Sequence, residues 1–184
     1  FKALTVNPVA PVTPGTITGE ATVCASLPGL IYTINPVLNA TIYNWVVPAG
    51  WTITSGQGTT SITVTAGITG GNISVNAGNF CGTSGNRNLA IVVNATGTWL
   101  GISSNNWNDG LNWCGAVPVA STNVFIPAGT PNNPVISSLA MANSISVAAG
   151  ANLTINNATL QAGGTITANS NIIAIDGTLQ MNGS

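Results

Sequence analysis

The sequence predicts an all-β chain of two differently organised parts, and three observations lead to that prediction. Short runs rich in β-branched residues alternate apolar and small polar positions, Gly, Pro or Asn interrupts them every several residues, and no run shows a helical period. The alternation changes character near residues 94–98. Before that point the strands are spaced as in a two-sheet sandwich. Beyond it, apolar pairs recur at a regular short interval, as in a parallel β-helix.

In the first part the expected strands are 16–18, 21–25, 30–34, 41–47, 51–55, 61–66, 71–76 and 88–93, with inward positions such as Ile62, Val64, Ile73 and Val75. Seven or eight strands over roughly 80 to 100 residues fit an immunoglobulin-like β-sandwich. Pro8, Pro11 and Pro14 cannot lie inside a central strand, so the stretch holding them reads as a stiff, extended linker. Ahead of it, Phe1 to Asn7 is similar to Arg87 to Asn94: a short apolar β-run closing on Asn. Residues 1–8 are therefore expected to be the end of a preceding repeat and its linker, residues 9–95 the sandwich.

In the second part the apolar pairs are Ile145/Val147, Leu153/Ile155, Leu160/Ala162, Ile166/Ala168, Ile173/Ile175 and Leu179/Met181. Every third pair starts 21, 20 or 19 residues later, the period of a three-sided coil. Residues 143–184 are expected to be the first coils of a β-solenoid, with more beyond Ser184, because each coil buries its faces only on its neighbours. Residues 96–142 are expected to lead into the coils and cap them.

Composition narrows function. Only Lys2, Glu20, Arg87, Asp109 and Asp176 are charged, and histidine is absent. General acid–base catalysis, hard-metal binding and phosphate recognition draw on the missing residue types. The expectation is a chain that is not an enzyme, with no catalytic residue, no metal site, no cofactor and no nucleic-acid partner. Asp109 and Asp176 each precede Gly, a turn signature rather than a carboxylate pair. No apolar run approaches the ~20 residues of a membrane-spanning helix.

Two groups are candidates for chemistry. Cys24 and Cys81 both fall in the sandwich and, in an oxidising compartment, are expected to form a disulfide beside Trp45; two buried free thiols are the alternative. Cys114 reads as a buried thiol, with a bond to another chain as the minority reading. Trp99, Trp107 and Trp113 are expected either to cover the terminal apolar layer of the coils or to stack on sugar rings as a glycan contact. Buried indoles favour the first, exposed coplanar ones the second.

Ordered motifs add a resemblance. Pro11-Val-Thr-Pro-Gly-Thr-Ile-Thr-Gly19, Thr22-Val-Cys24, Tyr32-Thr-Ile34, Tyr43-Asn-Trp-Val-Val-Pro48, Gly56-Gln-Gly-Thr-Thr-Ser-Ile-Thr-Val64 and Asn79-Phe-Cys-Gly-Thr-Ser84 resemble the PKD-like domains repeated in long surface proteins of Bacteroidota. Thr98-Trp-Leu-Gly-Ile-Ser-Ser-Asn-Asn-Trp107, Asn108-Asp-Gly-Leu-Asn-Trp113 and Val124-Phe-Ile-Pro127 resemble a segment that precedes β-solenoid repeats in similar secreted proteins. The resemblance implies a large adhesin or gliding-motility protein on the outer face of the outer membrane. It implies the type IX secretion machinery as a partner during export, a separate C-terminal sorting domain, and surface glycans or neighbouring surface proteins as contacts. The rival reading is a glycan-binding module or an accessory part of an extracellular polysaccharide-active enzyme.

Overall fold

The computed structural model describes residues 9–181, with the side chains of residues 173–175 excepted. The expected preceding repeat at residues 1–8 lies outside the described residues. The chain divides into two compact units between Val93 and Asn94, close to the expected change at 94–98.

The first unit is built of two layers. One holds β1 (Thr22–Cys24), β8 (Arg87–Asn94), β6 (Gly71–Asn79) and β3 (Ile42–Val46) in that order, with β7 (Gly82–Thr83) turned back on β6. The other holds β2 (Leu30–Thr33), β5 (Ser61–Thr65) and β4 (Thr52–Ser55). In these layers β2–β5–β4 and β8–β6–β3 pair antiparallel. Strict alternation in β3 and β5 sends one face of each strand inward. Ile62, Val64, Ile73 and Val75 are fully buried with Tyr32 and Trp45 in a single core. Residues 16–18, expected as a strand, contribute only the Thr18–Thr33 bridge. The prolines before them and Gly19 after them deny the run a longer ladder.

Two side chains replace missing backbone partners here. The Gln57 amide accepts from the Trp45 N–H at 3.1 Å and donates to the Trp45 carbonyl at 2.9 Å, occupying an edge position of β3 as a neighbouring strand would. The Trp45 indole donates to the Thr59 carbonyl at 2.8 Å, so a ring that is 2 % exposed has no orphaned donor.

The second unit contains three all-parallel sheets. β9 (Val124–Ile126), β12 (Ile145–Val147) and β15 (Ile166–Ala168) form one; β10 (Val135–Ile136), β13 (Asn152–Asn156) and β16 (Asn171–Ile175) the next; β11 (Ala140–Ala142), β14 (Thr159–Ala162) and β17 (Thr178–Met181) the third. Partners in each ladder are 19 to 21 residues apart. Ile145 pairs with Ile166 and Leu160 with Leu179, as the apolar period predicts. The third pairing is shifted by one: Leu153 pairs with Ile172, and Thr154 with Ile173. Residues 172–175 read Ile-Ile-Ala-Ile, apolar in both phases, so the pattern alone does not select a face.

The boundary expected at 142/143 falls inside the parallel sheets, which hold strands from both sides of it. β9, β10 and β11 already belong to the ladders, and Thr98 and Asn106 add parallel bridges to Phe125 and Val135. The parallel ladders thus start within the segment expected only to lead into the coils. Along these ladders, Ile126, Ile136, Val147, Leu153, Ile155 and Leu160 are fully buried. Amide and hydroxyl groups stack outside the apolar column, as where Asn123 accepts from both Asn143 and Ser144 at 2.8 and 2.7 Å.

Candidate functional site

The three tryptophans of the second unit converge on a short stretch of chain whose shape is set by polar side chains. Asp109 lies in extended backbone ahead of a 3-10 turn at Gly110–Asn112 and accepts from the Leu111 N–H through Oδ1. Its Oδ2 accepts from the Ser104 hydroxyl at 3.0 Å. Asn112 is fully buried and its side chain makes four hydrogen bonds. Its Oδ1 accepts from the N–H groups of Ser103 and Ser104, and its Nδ2 donates to the Ser104 hydroxyl and the Asn106 carbonyl. One amide therefore fixes the loop between Trp99 and Trp113.

The rings pack on that frame. Trp99 and Trp107 are fully buried and Trp113 is 3 % exposed. Trp113 meets Trp99 edge-on at 4.9 Å and Trp107 at 4.7 Å, with interplanar angles of 77° and 72°. Trp99 donates to the Asn132 carbonyl at 2.7 Å and Trp113 to the Trp107 carbonyl at 2.7 Å. Trp107 Nε1 is buried with no hydrogen-bond partner among the described residues. Gly101 has φ +60°, and a Cβ there would press into the Asn132 carbonyl and the Trp99 ring. Only glycine permits that approach.

This geometry corrects the glycan reading of Trp99, Trp107 and Trp113. Sugar stacking needs an exposed ring face, and these rings are buried and mutually steep. They share one apolar cluster with Val124, Ile126, Ile136 and Ile145, and buried rings favour the covering role over sugar contact.

Hydrogen bonds from the Ser103 hydroxyl, the Leu111 N–H and the Ser104 hydroxyl hold the Asp109 carboxyl below its ordinary range. A depressed carboxylate contributes stability above its unfolded pKa and loses it as pH falls through the lower folded value. Acidification below the usual aspartate range is expected to loosen the tryptophan cluster, read as a change in near-ultraviolet circular dichroism. Asp109→Asn is expected to flatten that response, and an unchanged response would refute the assignment.

The cysteines are the second correction. Cys81 is a free, exposed thiol, whereas Cys24 and Cys114 are disulfide-bonded. The expected Cys24–Cys81 bridge is therefore not formed. Cys81 sits at the turn from β6 to β7, where its N–H donates to Asn79 Oδ1 at 2.8 Å, and its side chain is held away from the core. Cys114, expected as a buried thiol, is fully buried but oxidised. In the native, non-reduced protein Cys81 is expected to be alkylated, with Cys24 and Cys114 protected until reduction. A linked Cys24–Cys81 peptide in a non-reduced digest would overturn this assignment.

Among the described residues, no group of three or more His, Cys, Asp or Glu side chains could hold a metal ion. No described helix is long and apolar enough to cross a membrane.

Comparison with known proteins divides the chain where the contacts do. Residues 10–91 match the family model of the PKD-like domain. That is the first unit, an immunoglobulin-like all-β fold. Residues 98–183 match the model of a domain of unknown function, DUF8693. No curated protein and no solved structure matches the chain. A PKD-like domain is typical of extracellular or cell-surface proteins, and the disulfide is consistent with that location.

Proposed function

We propose that the chain is a non-enzymatic part of a large secreted or cell-surface protein, serving as a stalk and adhesive scaffold. The observation that carries this reading is the PKD-like match over residues 10–91. The three parallel ladders support reading the second unit as a β-solenoid, a stiff element in which each coil rests on its neighbours. The scarcity of charged side chains, five with no histidine, supports a mechanical rather than a catalytic role.

The resemblance of the ordered motifs to Bacteroidota surface proteins extends the proposal. The chain is exported by the type IX machinery, resides on the outer face of the outer membrane and contributes to adhesion or gliding motility. Both units fold from their own backbone hydrogen bonds and apolar cores, which suits assembly after export without a cofactor. Protease treatment of intact cells, followed by fractionation, tests the location. Cleavage in intact cells is the expected result; protection together with recovery from the cytosol would overturn it.

A further inference from the structure

The outward face of the sheet formed by β3, β6 and β8 carries a row of linked side-chain amides that no buried group requires. Asn44 on β3 lies directly opposite Asn76 on β6, and its Nδ2 donates to Asn76 Oδ1 at 3.0 Å. Asn76 Nδ2 then donates to Asn86 Oδ1 at 3.1 Å. Asn44 and Asn86 are exposed and Asn76 is half-buried, so water alone would satisfy all three. Instead the amides bind one another, which fixes their rotamers and aligns their remaining donors and acceptors.

The surroundings of the row define what fits it. Ile42 and Val46, the outward residues on either side of Asn44, are 46 % and 62 % exposed. In the next row Val46 stands opposite Ser74, and Ser74 opposite Asn88. Of the side chains on these three strands only Arg87 is charged, and its Nε is engaged by the Pro14 carbonyl at 2.9 Å. A charged partner gains nothing on such a face. A protein partner would want a large aromatic or Arg anchor, and none stands in the row.

We propose that the Asn44–Asn76–Asn86 row is a binding face for a neutral hexose oligosaccharide. Hydroxyl groups both donate and accept, matching an amide row that offers both. Sugar C–H faces cover the aliphatic flanks of Ile42 and Val46. Amides one strand apart recur every ~4.8 Å, on the order of one sugar ring, so a short glycan laid across the strands meets them in succession. Fixed rotamers lower the ordering cost of binding. This proposal is independent of the scaffold role, and its failure would leave that role untouched.

The test is a titration of the nitrogen-labelled protein with maltohexaose, cellohexaose, laminarihexaose and mannohexaose. Each is taken to about 10 mM, where a millimolar complex is mostly formed. The expected result is saturable movement of the Asn44, Asn76 and Asn86 side-chain amide resonances with at least one of the four. Asn44→Ala combined with Asn76→Ala is expected to weaken that binding about tenfold or more. Asn86→Ala, at the exposed end of the row, gives a milder second variant should the double variant misfold. No movement with any sugar, movement confined to other residues, or equal movement with an uncharged blocked tripeptide would each overturn the proposal.

Discussion

Trp113→Ala is expected to unfold the parallel unit at markedly lower temperature or denaturant concentration than the parent. The ring is 3 % exposed, contacts two other indoles edge-on and donates to the Trp107 carbonyl. Its loss opens a cavity among rigid neighbours and leaves that carbonyl short of a partner. Truncating a buried tryptophan costs about 3–5 kcal/mol, a large share of the roughly 5–15 kcal/mol that holds a domain folded. Leu179→Ala supplies the contrast. Leu179 stands 40 % exposed in the final strand, so its truncation is expected to cost under ~1 kcal/mol. Calorimetry on the two variants decides the matter, and equal losses would show that the tryptophans do not anchor the unit.

Much of this architecture was legible in the sequence because side-chain period is a direct image of strand geometry. Ile62, Val64, Ile73 and Val75 alternate with polar residues and are fully buried. The 21-residue interval from Ile145 to Ile166 appears as a parallel pair. Where the pattern was degenerate it did not specify the outcome. Ile-Ile-Ala-Ile at 172–175 is apolar in both phases, and its pairing differs by one residue from the apparent period. β10 was missed because two residues display no period, and β11 because its buried residues are the small Ala140 and Ala142 on either side of the larger, exposed Met141, which hides the inward face. Both strands owe their place to the longer strands beside them.

The site was less legible, for a different reason. A cysteine carries no periodic signal, so pairing Cys24 with Cys81 rested on both lying in the sandwich. Two residues decide otherwise: the turn at Asn79–Gly82 turns Cys81 outward, while Cys114 is fully buried next to Trp113, the ring that both other indoles of the second unit contact. The tryptophans were visible by type and spacing, but their burial depends on Gly101 and Asn112, small residues whose role is conformational. Asn44, Asn76 and Asn86 come from separate segments, and only the strand register places them in a row.

Asn112→Ala is the sharpest test of that last kind of residue, because the substitution removes almost no apolar surface. Asn112 is fully buried, with both amide donors and its oxygen engaged. Alanine leaves the Ser103 and Ser104 N–H groups, the Ser104 hydroxyl and the Asn106 carbonyl without this partner. Each group that remains buried and unsatisfied costs about 1–3 kcal/mol, and water reaching the half-buried ones offsets part of the total. The net expectation is a loss of about 2–4 kcal/mol, comparable with losing an indole although only a short polar side chain is gone. Asn112→Asp separates hydrogen bonding from volume. It keeps the acceptor for Ser103 and Ser104 but loses the donor to Asn106, and it adds a buried charge near Asp109, so at neutral pH it is expected to destabilise as well. Acidification protonates the introduced carboxyl and restores a donor, so the Asn112→Asp variant should recover part of its deficit relative to the parent as pH falls, whereas the alanine variant should not. A deficit that is the same at both pH values would mean that Asn112 acts by shape alone.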